Sequence, residues 1–187
     1  MAQSDTRDVV DLLLEQHTHI RRLFAAVEDA GDDAVRQAAF EELRRFLAVH
    51  ETAEELVTHP VARMTQGGND VVDARLEEET ASKKMLAELD GMKASDADFA
   101  TKLATFKDAV LTHAEAEERE EFPLLRADTD PKRLERMASA LRAAAAIAPT
   151  HPHPSVGSSM TTNLMAGPLA SVLDRTRDAV KAALARG

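Results

Sequence analysis

The chain contains the pattern His-x3-Glu twice, as His50 with Glu54 and as His113 with Glu117. Each pair continues an apolar stripe. Phe99, Leu103, Phe106 and Val110 step by four, three and four residues, and the next positions of that face are His113 and Glu117. Phe40, Leu43 and Leu47 lead in the same way to His50 and Glu54, after which Val57 resumes the stripe. This is the periodicity of one helix face, so four polar side chains are directed where a core is expected. Burying a carboxylate without a partner is expensive, and the usual ways out are an ion pair, a proton or a metal. A His and a Glu one helical turn apart point the same way, which suits a metal that accepts both imidazole nitrogen and carboxylate oxygen. A single pair would serve equally as a structural hydrogen bond. Two copies, each followed by an acidic residue (Glu55, Glu118) and by a proline six residues after the Glu (Pro60, Pro123), point to a repeated device.

The surrounding pattern supplies helices to carry these pairs. A first helix is expected over about residues 5–30, capped by Ser4 or Asp5 and stopped by Gly31. Its apolar face is Val10, Leu13, Leu14, Ile20, Phe24 and Val27, and His17 belongs to it, either as a ligand or as a hydrogen-bonded core histidine. His19 is turned by about 200° from it and is expected at the surface. A second helix, about 33–58, is capped by Asp32 or Asp33 and closed by Pro60. His59, nine residues beyond His50, is expected on the opposite face, at the helix C-terminal dipole rather than in a site. Residues 61–69 read as a connection broken at Gly67 and Gly68. A third helix follows over about 71–89, capped by Asn69 or Asp70, with Glu79 on its inward stripe between Leu76 and Leu86. The bland reading of Glu77, Glu78 and Glu79 is a solvated face. Ser95 or Asp96 caps the fourth helix, where Glu120 and Glu121 return towards the inner face and could line an entrance. After a turn at 127–130, Pro131 opens a fifth helix to about Ile147. Residues 149–157 form a proline-rich linker, in which His151 and His153 are weak metal candidates, and 168–185 read as a terminal helix able to dock on the bundle or on another chain.

Composition bounds the rest. A chain of 187 residues with 44% hydrophobic and 30% charged residues suits one globular domain. We therefore divide it at residue 148, into a bundle with its fifth helix (1–148) and a tail (149–187). Cysteine is absent, which excludes disulfides and thiolate metal sites, and Trp and Tyr are absent as well. The formal charge of −10 argues against nucleic acid as a partner. No apolar run reaches membrane-spanning length and the first residues lack signal-peptide character, so a cytoplasmic location is expected.

The fold class is all-α. Four helices of about 20–25 residues with short connections give an antiparallel up-down-up-down four-helix bundle with additional C-terminal helices. Helices two and four then run parallel, and their His-x3-Glu pairs fall at one level. His17 and Glu79 reach the same level, so six side chains converge: His17, His50, Glu54, Glu79, His113 and Glu117. That exceeds the needs of one four-coordinate zinc and suits two metals bridged by carboxylates. Ferritin-type sites use Glu-x-x-His, with the opposite order and a shorter spacing.

The segments QHTHIRRLF, HETAEELVTHP and HAEAEEREEFP resemble the hemerythrin-like HHE cation-binding family over about residues 9–125, and the tail resembles the extension of actinobacterial hemerythrin-like proteins. The resemblance implies an antiparallel bundle holding two iron ions in an oxo- or hydroxo-bridged di-iron centre, with His17, His50, Glu54, His113 and Glu117 as ligands. It also implies dioxygen, peroxide or nitric oxide as small ligands, in a monomer or homodimer. The family places a histidine in helix three, where this chain has Glu79. A third carboxylate neutralises the charge left by two ferrous ions, two glutamates and a hydroxide. It should favour the ferric state and shift the site from reversible oxygen carriage towards oxidation by oxygen or peroxide. Three functions follow as expectations: a di-iron protein that reacts with oxygen, peroxide or nitric oxide, with catalase- or peroxidase-like turnover in oxidative-stress handling; an iron or oxygen sensor without turnover; and a metal-free bundle with hydrogen-bonded pairs. No catalytic residue is assigned by the sequence.

Overall fold

The computed structural model describes residues 7–146. The chain forms α1 (Val9–Glu28), α2 (Asp33–Val57), the short α3 (His59–Ala62), α4 (Gly68–Asp90) and α5 (Phe99–Ala116). A π-helical turn over Glu117–Glu121 then leads into α6 (Phe122–Asp128), and α7 (Pro131–Ala145) follows. No strand occurs among the described residues, and no helix among them is long and apolar enough to cross a membrane. The proposed linker, His151, His153 and the terminal helix lie outside the described residues.

The first two long helices begin at side-chain caps. α1 opens at Val9 rather than near Asp5, because Asp8 forms a capping box: its carboxylate accepts from the Asp11 amide at 2.9 Å and Asp11 returns the bond at 3.2 Å. Asp32 caps α2 through the Val35 amide at 2.9 Å. α4 begins earlier than its side chains suggest. Gly67 takes φ 79°, a left-handed conformation that favours glycine, and a Cβ on Gly68 would lie 1.8 Å from the Ala62 carbonyl oxygen. α5 starts at Phe99, without a side-chain cap from Ser95 or Asp96; Asp96 instead accepts from the Lys93 amide. Pro60, expected to close the second helix, and Pro123 each sit in the first turn of a further helical segment, α3 and α6.

α1, α2, α4 and α5 form the bundle, and α7 packs on one end against α1 and α2. The apolar side chains divide into two storeys. One, around Phe24, Phe40, Phe99 and Phe106, fills the bundle. The other, around Val10, Leu13, Val57, Leu125, Met137 and Leu141, is closed by α6 and α7. Burial of each large side chain contributes about 1.5–3 kcal/mol. Between the storeys lies a layer of buried histidines and glutamates: His17 falls between Leu13 and Ile20 in α1, and His50 between Leu47 and Ala53 in α2. Adding a methyl at Gly68 must push the Ala62 carbonyl away and displace α3. Gly68→Ala should lower the stability measured by urea unfolding by about 1–3 kcal/mol, and an unchanged midpoint would contradict this packing.

Candidate metal centre

His17, His50, Glu54 and Glu117 each offer a donor atom within 4.8 Å of the others, and all four are buried. His17 Nε2 lies 3.3 Å from Glu117 Oε2, and His50 Nε2 lies 3.2 Å from Glu54 Oε2. His113 Nε2 approaches the other oxygen of Glu117 at 3.4 Å. These separations are close, yet both oxygens of Glu54, both of Glu117, and the Nε2 atoms of His17 and His113 are buried without a hydrogen-bond partner. Each such group costs about 1–3 kcal/mol if left unsatisfied.

The far side of each imidazole explains the orientation. His17 Nδ1 donates to Glu118 at 2.8 Å, His50 Nδ1 to Gln16 Oε1 at 2.7 Å and His113 Nδ1 to Glu78 at 3.0 Å. Since these acceptors can only accept, each Nδ1 carries a proton, and Nε2 is the atom that each ring turns inwards. Two of the acceptors are themselves held by guanidinium groups: Arg21 reaches Glu118 at 3.1 Å, and the buried Arg75 reaches Glu78 at 2.8 Å. Phe122 stacks on His17, and Phe46 on His50.

A second cluster contains His59, Glu117 and Glu121, all buried. His59 corrects its expected position. Pro60 interrupts the helix after Val57, so the rotation counted from His50 no longer applies, and the short α3 carries the ring inwards. There Nδ1 meets Glu121 at 2.9 Å and Nε2 meets Glu79 at 2.6 Å. The proline directly after His59 was the sequence signal of that break. Glu121 was placed at an entrance on a regular helical period. The π turn supplies one extra residue of winding, and Glu117 and Glu121 are both fully buried while Glu120 remains outside beside Arg75. Such turns recur at functional sites. Glu79 is inward, as its stripe predicts, with its second oxygen bonded to Lys83 at 3.0 Å. His19 is half-buried rather than fully at the surface, its ring edge-on to Phe46, and belongs to neither cluster.

The Hemerythrin HHE cation binding domain family model matches residues 8–125. The chain belongs to the hemerythrin HHE family. Among its relatives, a hemerythrin-like protein of Schizosaccharomyces pombe is 24% identical over 172 residues, covering 91% of this chain and 85% of that protein. A protein named DNA nickase from a Nostoc species is 25% identical over 143 residues, or 75% of this chain, but the match spans only 40% of that protein. The crystal structure of a hemerythrin HHE cation-binding domain-containing protein from Mycobacterium kansasii shares the fold. Its TM-score is 0.66 at 18% identity, over 95% of this chain and 99% of that one. The hemerythrin domain thus carries a His/Glu cluster whose donor set fits a cation: unpartnered imidazole nitrogens and carboxylate oxygens face one another in a buried layer.

Without a cation, protons must compensate the charge. Burial, then the neighbouring Glu117, push Glu54 well above the ordinary carboxylate range. Burial and Glu79 raise Glu51 to about 8. For His59 burial acts downwards, but its bonds to Glu121 and Glu79 outweigh it and hold the ring protonated. Burial likewise opposes the rise of His113, which Glu117 and Glu78 carry to about 9. These four groups keep protons in the fold that the unfolded chain has released. Their stabilisation is therefore full below the unfolded values and lost as pH rises through the folded ones. His50, lowered to about 3 by burial and His17, is neutral in both states above 6.5. Glu117, where His113 and His17 overcome burial to give about 2, is ionised in both. The melting temperature of metal-free protein should fall steadily from pH 6.5 to above 9; a rise over that range would contradict the assignment.

Proposed function

We propose that this hemerythrin-like domain is a non-haem di-iron protein that binds or reduces dioxygen, peroxide or nitric oxide, in the handling of oxidative stress. The observation that carries the reading is the set of buried, unpartnered donors on His17, Glu54, His113 and Glu117, with three imidazoles locked so that Nε2 points inwards. In this reading His17, His50, Glu54 and Glu117 hold one ion. Glu117 belongs to both clusters, and His59 and Glu121, with His113 and Glu79 adjoining, would hold a second. His59 brings from α3 the imidazole that α4 lacks. Bound iron supplies one-electron redox chemistry and Lewis acidity towards a small oxygen- or nitrogen-centred ligand.

The chain's own residues do the rest. Glu118, Gln16 and Glu78 fix the tautomers and ring planes, so little reorganisation is needed on loading. Phe122 and Phe46 cover one face of the His17 and His50 rings. His59, hydrogen-bonded to carboxylates through both nitrogens, stores a proton at the centre of the layer. A cation that takes these carboxylates must displace that proton, so loading is expected to release acid.

The test is metal content after anaerobic loading with ferrous iron and desalting. Two irons per chain, with proton release in a weakly buffered solution, are expected. Retention of none would overturn the reading, and retention of one would overturn its dinuclear form. Steady consumption of added peroxide by the loaded protein separates turnover from stoichiometric binding.

A further inference from the structure

The four seams of the bundle are closed differently at the level of the site. Between α1 and α5, Arg21 covers Glu118. Between α4 and α5, the buried Arg75 bridges Glu78 and Glu120. Between α1 and α2, Gln16 and Phe46 cover His50 without charge. Among the described residues, only the seam between α2 and α4 is closed by a lysine at this level. Lys83 Nζ bonds Glu55, bonds Glu79 at 3.0 Å and lies 3.8 Å from Glu51.

We propose that this seam is the inlet for divalent cations, with Glu55, Glu51 and Glu79 as a descending series of carboxylates and Lys83 as the displaceable occupant. The inference rests on the cation reading above. Side-chain exposure falls from 25% at Glu55 to 9% at Glu51 and 1% at Glu79, a gradient from water to the buried layer. One ammonium faces three acidic side chains, and Glu51 Oε2 is buried there with no hydrogen-bond partner. The arginines at the other seams are planar forks tied to acids that already steady a histidine. Lysine is a point charge on a flexible stem and can swing to water as a cation takes its place. At the inner end Glu79 touches His59, which touches Glu121, so the series joins the second cluster directly. Once Lys83 swings out to water, the seam is lined by acidic side chains alone, and a cleft of that kind concentrates cations and speeds their association.

The test follows anaerobic uptake of ferrous iron by metal-free full-length protein, using competition with a chromophoric chelator. Glu51→Gln and, separately, the more exposed Glu55→Gln should slow uptake by about tenfold or more, and Lys83→Met should speed it. Iron bound at equilibrium should match the wild type, because none of these three side chains is a proposed ligand. Wild-type uptake rates in both glutamine variants would overturn the inlet while leaving the metal reading intact. Failure of the wild type to take up iron would overturn both. Glu55→Gln, on the rim, keeps the test decisive should Glu51→Gln fail to fold.

Discussion

The structure depends on burying several carboxyl groups in one layer. Glu54, Glu79, Glu117 and Glu121 lie within the bundle at 1% exposure or less. Like charges at such distances cannot all remain ionised in a low-dielectric interior unless positive charge joins them. The layer is tolerable only because apolar storeys above and below fix the helices around it. Those storeys supply the hydrophobic free energy, and the polar layer determines what may sit between them. A protonated His59 provides one such charge in the chain itself.

Orientation comes from sequence neighbours acting across helices. Gln16, next to His17, steadies His50 on α2. Glu118, next to Glu117, steadies His17 on α1. Glu78, next to Glu79, steadies His113 on α5. A residue just off the inward stripe of one helix thus accepts from the imidazole of another. The inward face and its flank are one design: the first supplies donors, and the second decides which way each ring faces. Charged residues that look like an ordinary solvated surface in the sequence therefore take part in the site's geometry.

Much of this was legible from spacing. The stripes ending in His50 with Glu54 and in His113 with Glu117 located the helices and their inward faces, because a regular α-helix converts residue number into direction. The all-α bundle follows from the same arithmetic. Where the backbone leaves that period, the conversion fails. His59 follows the break that Pro60 imposes and lies deeper than counting suggests, whereas Glu121 is on the inner face by counting and is buried beyond the entrance role expected of it. The start of α4 was hidden for a different reason. It is set by the close approach of Gly68 to the Ala62 carbonyl, a tertiary contact with no periodic signature. Glu79 was placed correctly on the inner face, but its pairing with His59 and Lys83 depends on elements that spacing along α4 cannot describe.

The π turn makes chain length itself part of the site. Over 117–121 the helix holds one residue more per turn than an α-helix does. Removing one residue there would restore α-helical winding and leave Phe122 and Leu125 close to their present directions, so the storey they help to close would survive. Adding a further residue has no such compensation and would rotate everything beyond it by about 100° relative to α5. The segment should therefore accept a shortening by one residue, or a change of side chain at an outer position such as Arg119, far more readily than a lengthening.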